Sequence, residues 1–138
     1  MKRTLFAIPI ALLLLALRLT ACAEETEPDT FTSGDYTYIL PENGAAEITG
    51  YWGKAENLTI PDQLDGHPVT AIRDFAFSDC SSLTSVSIPD SVTAIGDRAF
   101  SNCSNLTLSV GRDSYAFQYC KENGLNYTYN DSLDWLNN

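Results

Sequence analysis

Apolar positions return along this chain at a fixed interval. Ile72, Ala76, Phe77, Cys80 and Leu83 recur 23 residues later as Ile95, Ala99, Phe100, Cys103 and Leu106. A period of about 20–29 residues with regular apolar positions marks a solenoid. No single unit of such an array buries its own apolar edge, so neighbouring units stack to make the core. Within one unit, Leu83-Thr84-Ser85-Val86-Ser87-Ile88 is apolar at its first, fourth and sixth positions, the strand pattern of a leucine-rich repeat. Pro89 lacks a backbone donor and ends that strand. Val92, Ile95 and Phe100 carry the apolar pattern around the return path.

The same pattern extends to both sides. Ala55, Leu58 and Ile60 align with Leu83, Val86 and Ile88 as a first copy. An insertion from Gln63 to His67 follows it, with Asp65-Gly66 predicting a tight turn. Leu106-Thr107-Leu108-Ser109-Val110 alternates with period two and reads as a last strand. Ala116, Phe117 and Cys120 repeat the Ala-Phe-x-x-Cys spelling a third time. Before the array, Tyr36–Leu40 and Ala45–Thr49 are strand-like runs around Pro41-Glu42-Asn43-Gly44, which predicts a hairpin. After it, Ser114 is placed to cap a helix running to about Asn123, with Gly124 as its stop. The expected fold is a repeat solenoid, a short leucine-rich repeat of about three strands, closed by an N-terminal β-hairpin cap and a C-terminal helical cap. Such caps cover apolar ends and unpaired strand edges. The aromatic residues of the N-terminal segment, Tyr36, Tyr38, Tyr51 and Trp52, are expected in its core; the alternative is that they enlarge an exposed surface.

Three stretches resemble the BspA-like leucine-rich repeat family of bacterial surface proteins. They are SIPDSVTAIGDRAFSNCSNL, GDYTYILPENGAAEITGYWGKAENLTIPDQLDGHPVTAI and DSYAFQYCKENGLNYTY, together covering roughly residues 34–129. The matching residues are mostly those that pack, so the resemblance is specific for fold. For function it implies adhesion or protein–protein contact at a cell surface.

The first residues add an address. Met1-Lys2-Arg3 precedes an uncharged apolar run of 13 residues, Leu5 to Leu17. That is short of the ~20 residues a membrane span needs and suits a signal peptide. Leu19-Thr20-Ala21-Cys22 spells a bacterial lipobox, which would place a diacylglyceryl group on Cys22. Ordinary cleavage after Ala21-Cys22-Ala23 is the competing reading. Lipidation is preferred, giving an exported membrane lipoprotein facing outside, with secretion as the alternative. The expected organisation is a signal peptide with lipobox over 1–22, an acidic tether over 23–33, the repeat domain over 34–129 and a tail over 130–138.

Charge narrows the partners. The whole chain has 8 basic and 18 acidic residues, a net charge of −10, and loss of Lys2, Arg3 and Arg18 with the leader brings it to −13. So acidic a protein is repelled by nucleic acid, which is bound through Lys and Arg, and stays soluble and monomeric. A metal site is not expected, since Cys80, Cys103 and Cys120 show no C-x-x-C spacing and no histidine cluster. These three cysteines read as small buried hydrophobes; one disulfide among them is the alternative in an exported protein. His67, the only histidine, reads as a surface-turn residue. Asp62 and Asp90 both follow Ile-Pro and suit turns. Neither catalytic residues nor a cofactor are expected, and the chain reads as non-enzymatic.

The candidate binding face consists of the outward strand positions Thr59, Ser85, Ser87, Thr107 and Ser109. Three strands about 4.8 Å apart, each about five residues long, make a face on the order of 240 Å². A stable protein interface takes about 800 Å² from each partner. The reading is therefore a membrane-anchored extracytoplasmic module for protein–protein interaction or adhesion, weak per copy, with a protein or cell-surface ligand as its partner. A passive structural protein of the cell envelope is the alternative.

Overall fold

A computed structural model describes residues 28–131. The leader with Cys22, and most of the C-terminal tail, lie outside the described residues. Among the described residues ten strands and one helix follow in order: β1 Thr30–Ser33, β2 Tyr36–Ile39, β3 Ala46–Tyr51, β4 Asn57–Thr59, β5 Gln63–Leu64, β6 His67–Ile72, β7 Ser85–Ser87, β8 Ala94–Ile95, β9 Thr107–Val110, α1 Tyr115–Asn123 and β10 Asn126–Tyr129. The chain winds between two sheets. One is wholly parallel in the order β10-β9-β7-β4. In the other, β1, β2 and β3 form an antiparallel meander, and β6 and β8 continue it in parallel.

Successive turns are zipped by backbone bonds between residues one position off equivalence. Phe77 N–H donates to Ala99 O at 2.8 Å, Asp79 N–H to Ser101 O at 2.9 Å, and Gly96 N–H to Ile72 O at 2.7 Å. Leu83, Val86, Ile88, Val92, Leu108 and Val110 point inward and are buried. Through this core runs a column of rings. Tyr36, Tyr51, Phe77, Phe100 and Tyr119 follow one another with centroids 5.3, 5.5, 5.2 and 6.5 Å apart. The column joins the N-terminal meander to α1, so every turn of the array contributes one ring to a continuous apolar stack.

The insertion has a structural task. Asp65 and Gly66 take φ of 51° and 86°, the two left-handed residues that a two-residue hairpin turn requires, and they join β5 to β6. Asp65 then accepts hydrogen bonds from Tyr38 Oη at 2.7 Å and Ser33 Oγ at 3.0 Å, while His67 Nδ1 lies 3.0 Å from Gly44 O. The hairpin thus ties the array to β1, β2 and the β2–β3 turn, and His67 is half-buried against that turn rather than a free surface residue.

Four differences from the sequence reading stand out. The parallel ladder has four strands rather than about three, because Asn126–Tyr129 pairs with β9 after the helix. Its alternation is of polar and aromatic residues and carries no leucine. The return path includes a second parallel pairing, Ala71-Ile72 with Ala94-Ile95. Thr30–Ser33, read from sequence as the end of the tether, is a strand paired with β2. Finally, Tyr38 and Tyr51 are buried but Trp52 is 74% exposed.

The third Ala-Phe-x-x-Cys sequence is helical. Ser114 Oγ accepts from Phe117 N–H at 3.1 Å at the N-cap, and Gly124 (φ 64°) closes the helix by donating to Cys120 O. A non-glycine residue would be strained in that left-handed position.

Candidate functional site

In the parallel sheet, strand register decides which side chains become neighbours. Residues of a strand alternate between faces. With Leu58, Val86, Leu108 and Tyr127 in one cross-strand row, the residues on either side of that row face away from the core. They form two continuous ladders. One runs Asn57–Ser85–Thr107–Asn126 and the other Thr59–Ser87–Ser109–Thr128. All five residues of the sequence-derived face, Thr59, Ser85, Ser87, Thr107 and Ser109, are brought together here. Three more join them. Asn57 was reachable from its place two residues before Thr59, whereas Asn126 and Thr128 depend on β10.

The ladders contain only hydroxyls and amides. The inner members Ser85, Ser87, Thr107 and Ser109 are half-buried, and the outer members on β4 and β10 are exposed. Four strands about 4.8 Å apart with about four residues each make roughly 19 by 13 Å, so the fourth strand lengthens the face without changing its order of size. A flat array of neutral donors and acceptors can hydrogen-bond a partner, but its hydroxyls have no charged group or general base among the ladder residues to activate them. Among the described residues no group of three His, Cys, Asp or Glu side chains is placed to hold a metal ion.

Two comparisons with known proteins bear on this arrangement. The family model described as a BspA type leucine-rich repeat region (6 copies) matches residues 51–131. The chain belongs to this BspA-type family. A leucine-rich cell surface protein from Faecalibacterium prausnitzii is 36% identical with a TM-score of 0.61, over 74% of this chain and 30% of its own. The leucine-rich repeat protein of T. pallidum is 36% identical with a TM-score of 0.53, over 58% of this chain and 38% of that one. A leucine-rich repeat protein from Bacteroides capillosus is 32% identical with a TM-score of 0.52, over 57% of this chain and 62% of that one. The chain thus spans less than two thirds of the length of each of these structures. Comparison with curated proteins gives no significant match. BspA-type modules are in general binding or structural units, and proteins are their usual partners.

The cysteines of this BspA-type unit are turned inward. Cys80, Cys103 and Cys120 are free thiols, the first two half-buried and the last fully buried. Cys103 Sγ donates to Phe77 O at 3.1 Å. Burial raises all three thiol pKa values, that of Cys120 to about 11, so at neutral pH they are protonated and poor nucleophiles. Tyr36 is pushed up to about 12, chiefly by burial and then by neighbouring Tyr51 and Asp35. Asp65 is held below the usual carboxylate range by the Tyr38 and Ser33 hydroxyls. Each of these shifts accompanies a packing role and none lies on the ladders.

Proposed function

We propose that this protein is a membrane-anchored, extracytoplasmic BspA-type module that mediates protein contact or adhesion through its ladder face, weakly per copy. The observation that carries the reading is the pair of ladders. A protein with 18 acidic side chains keeps a four-strand parallel face wholly free of charge. The cell-surface description of the Faecalibacterium relative supports the same location. The β1–β3 meander and the α1–β10 unit serve as caps, since a solenoid with open ends exposes apolar surface. The organisation into leader, tether, repeat domain and tail accompanies this reading, with the tether ending where β1 begins. Among the described residues no helix is long and apolar enough to cross a membrane, and anchoring is assigned to lipidated Cys22.

Anchoring predicts that Cys22→Ala moves the protein from the detergent phase to the aqueous phase in phase separation; equal partitioning of mutant and parent refutes the lipid anchor. Binding strength would come from many tethered copies, because tethering raises effective concentration and adds about 10²–10⁴ in avidity without new contacts. Beads densely coated with the domain should adhere to epithelial cells or to the producing bacterium's envelope, while the monomer binds weakly. Ser85→Glu with Ser87→Glu should abolish bead adhesion. Unchanged adhesion by that double variant sinks the ladder reading.

A further inference from the structure

Repeats supply an internal control. A side chain that differs between structurally equivalent positions is not one the fold demands. Three such departures meet at the corner between the β3 turn and the next copy. Trp52 follows Tyr51 in the ring column, and the residues that follow Phe77 and Phe100 in that column are Ser78 and Ser101. Phe75 has Arg98 as its counterpart 23 residues on, and Asp79 has Asn102. For the last two pairs backbone geometry confirms the equivalence: φ is 59° at Phe75 and 55° at Arg98, and 59° at both Asp79 and Asn102; Trp52 is matched through the ring column. The corner therefore accepts serine, arginine and asparagine, and packing does not account for the tryptophan, phenylalanine and aspartate found in the earlier copy.

Those three residues line one groove of about 360 Å³. Trp52 is 74% and Phe75 52% exposed, and the two share one groove rather than standing singly; contiguous exposed apolar surface marks interaction sites. Asp79 is the only charged residue lining the groove, and its Oδ1 is fixed by Asn102 Nδ2 at 2.7 Å. The rings present π faces, the carboxylate is anionic, and the whole chain carries −10. All three favour a cation. The protein already makes this pairing elsewhere with its own side chains. Arg112 lies 4.3 Å from the Tyr129 ring centroid and Lys121 5.3 Å from that of Phe117. Among the described residues no cation sits over Trp52 or Phe75.

We propose that the Trp52–Phe75–Asp79 groove is a recognition site for a basic side chain, an arginine or lysine presented by a protein partner. Cation–π attraction is strongest over tryptophan, and the acidic field draws basic partners and speeds their encounter. This site shares no lining residue with the ladders, so its failure leaves the ladder face untouched, and the reverse also holds.

The repeat itself provides variants that keep the fold. Trp52→Ser, Phe75→Arg and Asp79→Asn each install the residue of an equivalent position. The probe is a fluorescein-labelled hexapeptide of alternating glycine and arginine, with its citrulline counterpart as the uncharged control and a neutral glucan oligosaccharide as a separate ligand. In the chain carrying Trp135→Phe, Trp52 is the sole indole and its emission should shift saturably on addition of the arginine peptide. Polarisation should show each of the three variants weakening binding, by about 2- to 30-fold for loss of a ring, and binding should weaken as salt rises. Melting temperatures within a few degrees of the parent would show the variants folded. Equal binding of the citrulline peptide, unchanged affinity in Phe75→Arg and Trp52→Ser, or saturable binding of the oligosaccharide without the peptide would each overturn the proposal. So would the absence of any arginine-peptide binding at millimolar concentration.

Discussion

The second and third copies have the same interior and different corners. Phe77 and Phe100 stack 5.2 Å apart at an interplanar angle of 13°, Ile72 pairs with Ile95, and Cys80 and Cys103 follow at the same spacing. Two residues before each stacked ring the likeness ends, and Phe75 in one copy becomes Arg98 in the other with the same left-handed backbone. Stacking explains the division. An inward side chain touches its counterparts on both neighbouring turns, so its size and shape are constrained from two sides. A corner side chain meets solvent and is held only by backbone. What repeats is what packs, and what varies at an equivalent corner is available for recognition.

The sharpest break of this comparison uses two phenylalanines of one copy. Phe77 is fully buried between Tyr51 and Phe100, and Phe77→Ala should cost about 3–5 kcal/mol. That is a large part of the ~5–15 kcal/mol holding a typical domain together. Phe75→Ala, two residues away, should stay within about 0.5 kcal/mol, as exposed substitutions do. Urea denaturation of both variants decides the matter; equal losses would show that the ring column is not the core.

A smaller effect of opposite sign is expected at the corner. A non-glycine residue in the left-handed region costs about 1–2 kcal/mol, and glycine returns about 0.5–1 of that through the freedom of the unfolded chain. Arg98→Gly should therefore stabilise by about 0.5–1 kcal/mol, read as a raised urea midpoint. A lowered midpoint would mean that the Arg98 side chain contributes contacts that its exposure conceals.

The smallest effect concerns the hairpin that ties the array to β1 and β2. Hydrogen bonds from Tyr38 and Ser33 lower the Asp65 pKa from 3.8. A lowered carboxyl pKa stabilises the fold above the unfolded value and loses that contribution as pH falls through the folded one. Melting temperature should fall on acidification below about pH 4, and more steeply in the parent than in Tyr38→Phe. Parallel profiles would remove Asp65 from the acid response.

Much of the molecule was legible before any coordinates. The 23-residue return of Ile, Ala, Phe and Leu named the stacked interior, and the apolar spacing around Val86 marked Ser85 and Ser87 as outward. The insertion was recognised, as was its Asp65-Gly66 turn, but its attachment to Ser33, Tyr38 and Gly44 was not, since those partners lie 23 to 32 residues away in sequence. Strand β10 escaped because Asn126–Tyr129, although rich in strand-forming Tyr and Thr, lacks the aliphatic positions of the repeat and takes its place only on the edge that β9 offers. The two-residue strand β8 is too short to carry a periodic signal.

Sequence alone therefore determined the repeat, its family resemblance, the inward residues of each turn and the neutral character of the outward ones. These follow from local order: periodicity lists what must be buried, and alternation lists what must not. Only the tertiary structure decided how many strands align into the ladders, and that Trp52, Phe75 and Asp79 meet in one groove. Those outcomes depend on register between turns, and register is set by backbone bonds and ring contacts between residues about 19 to 28 positions apart.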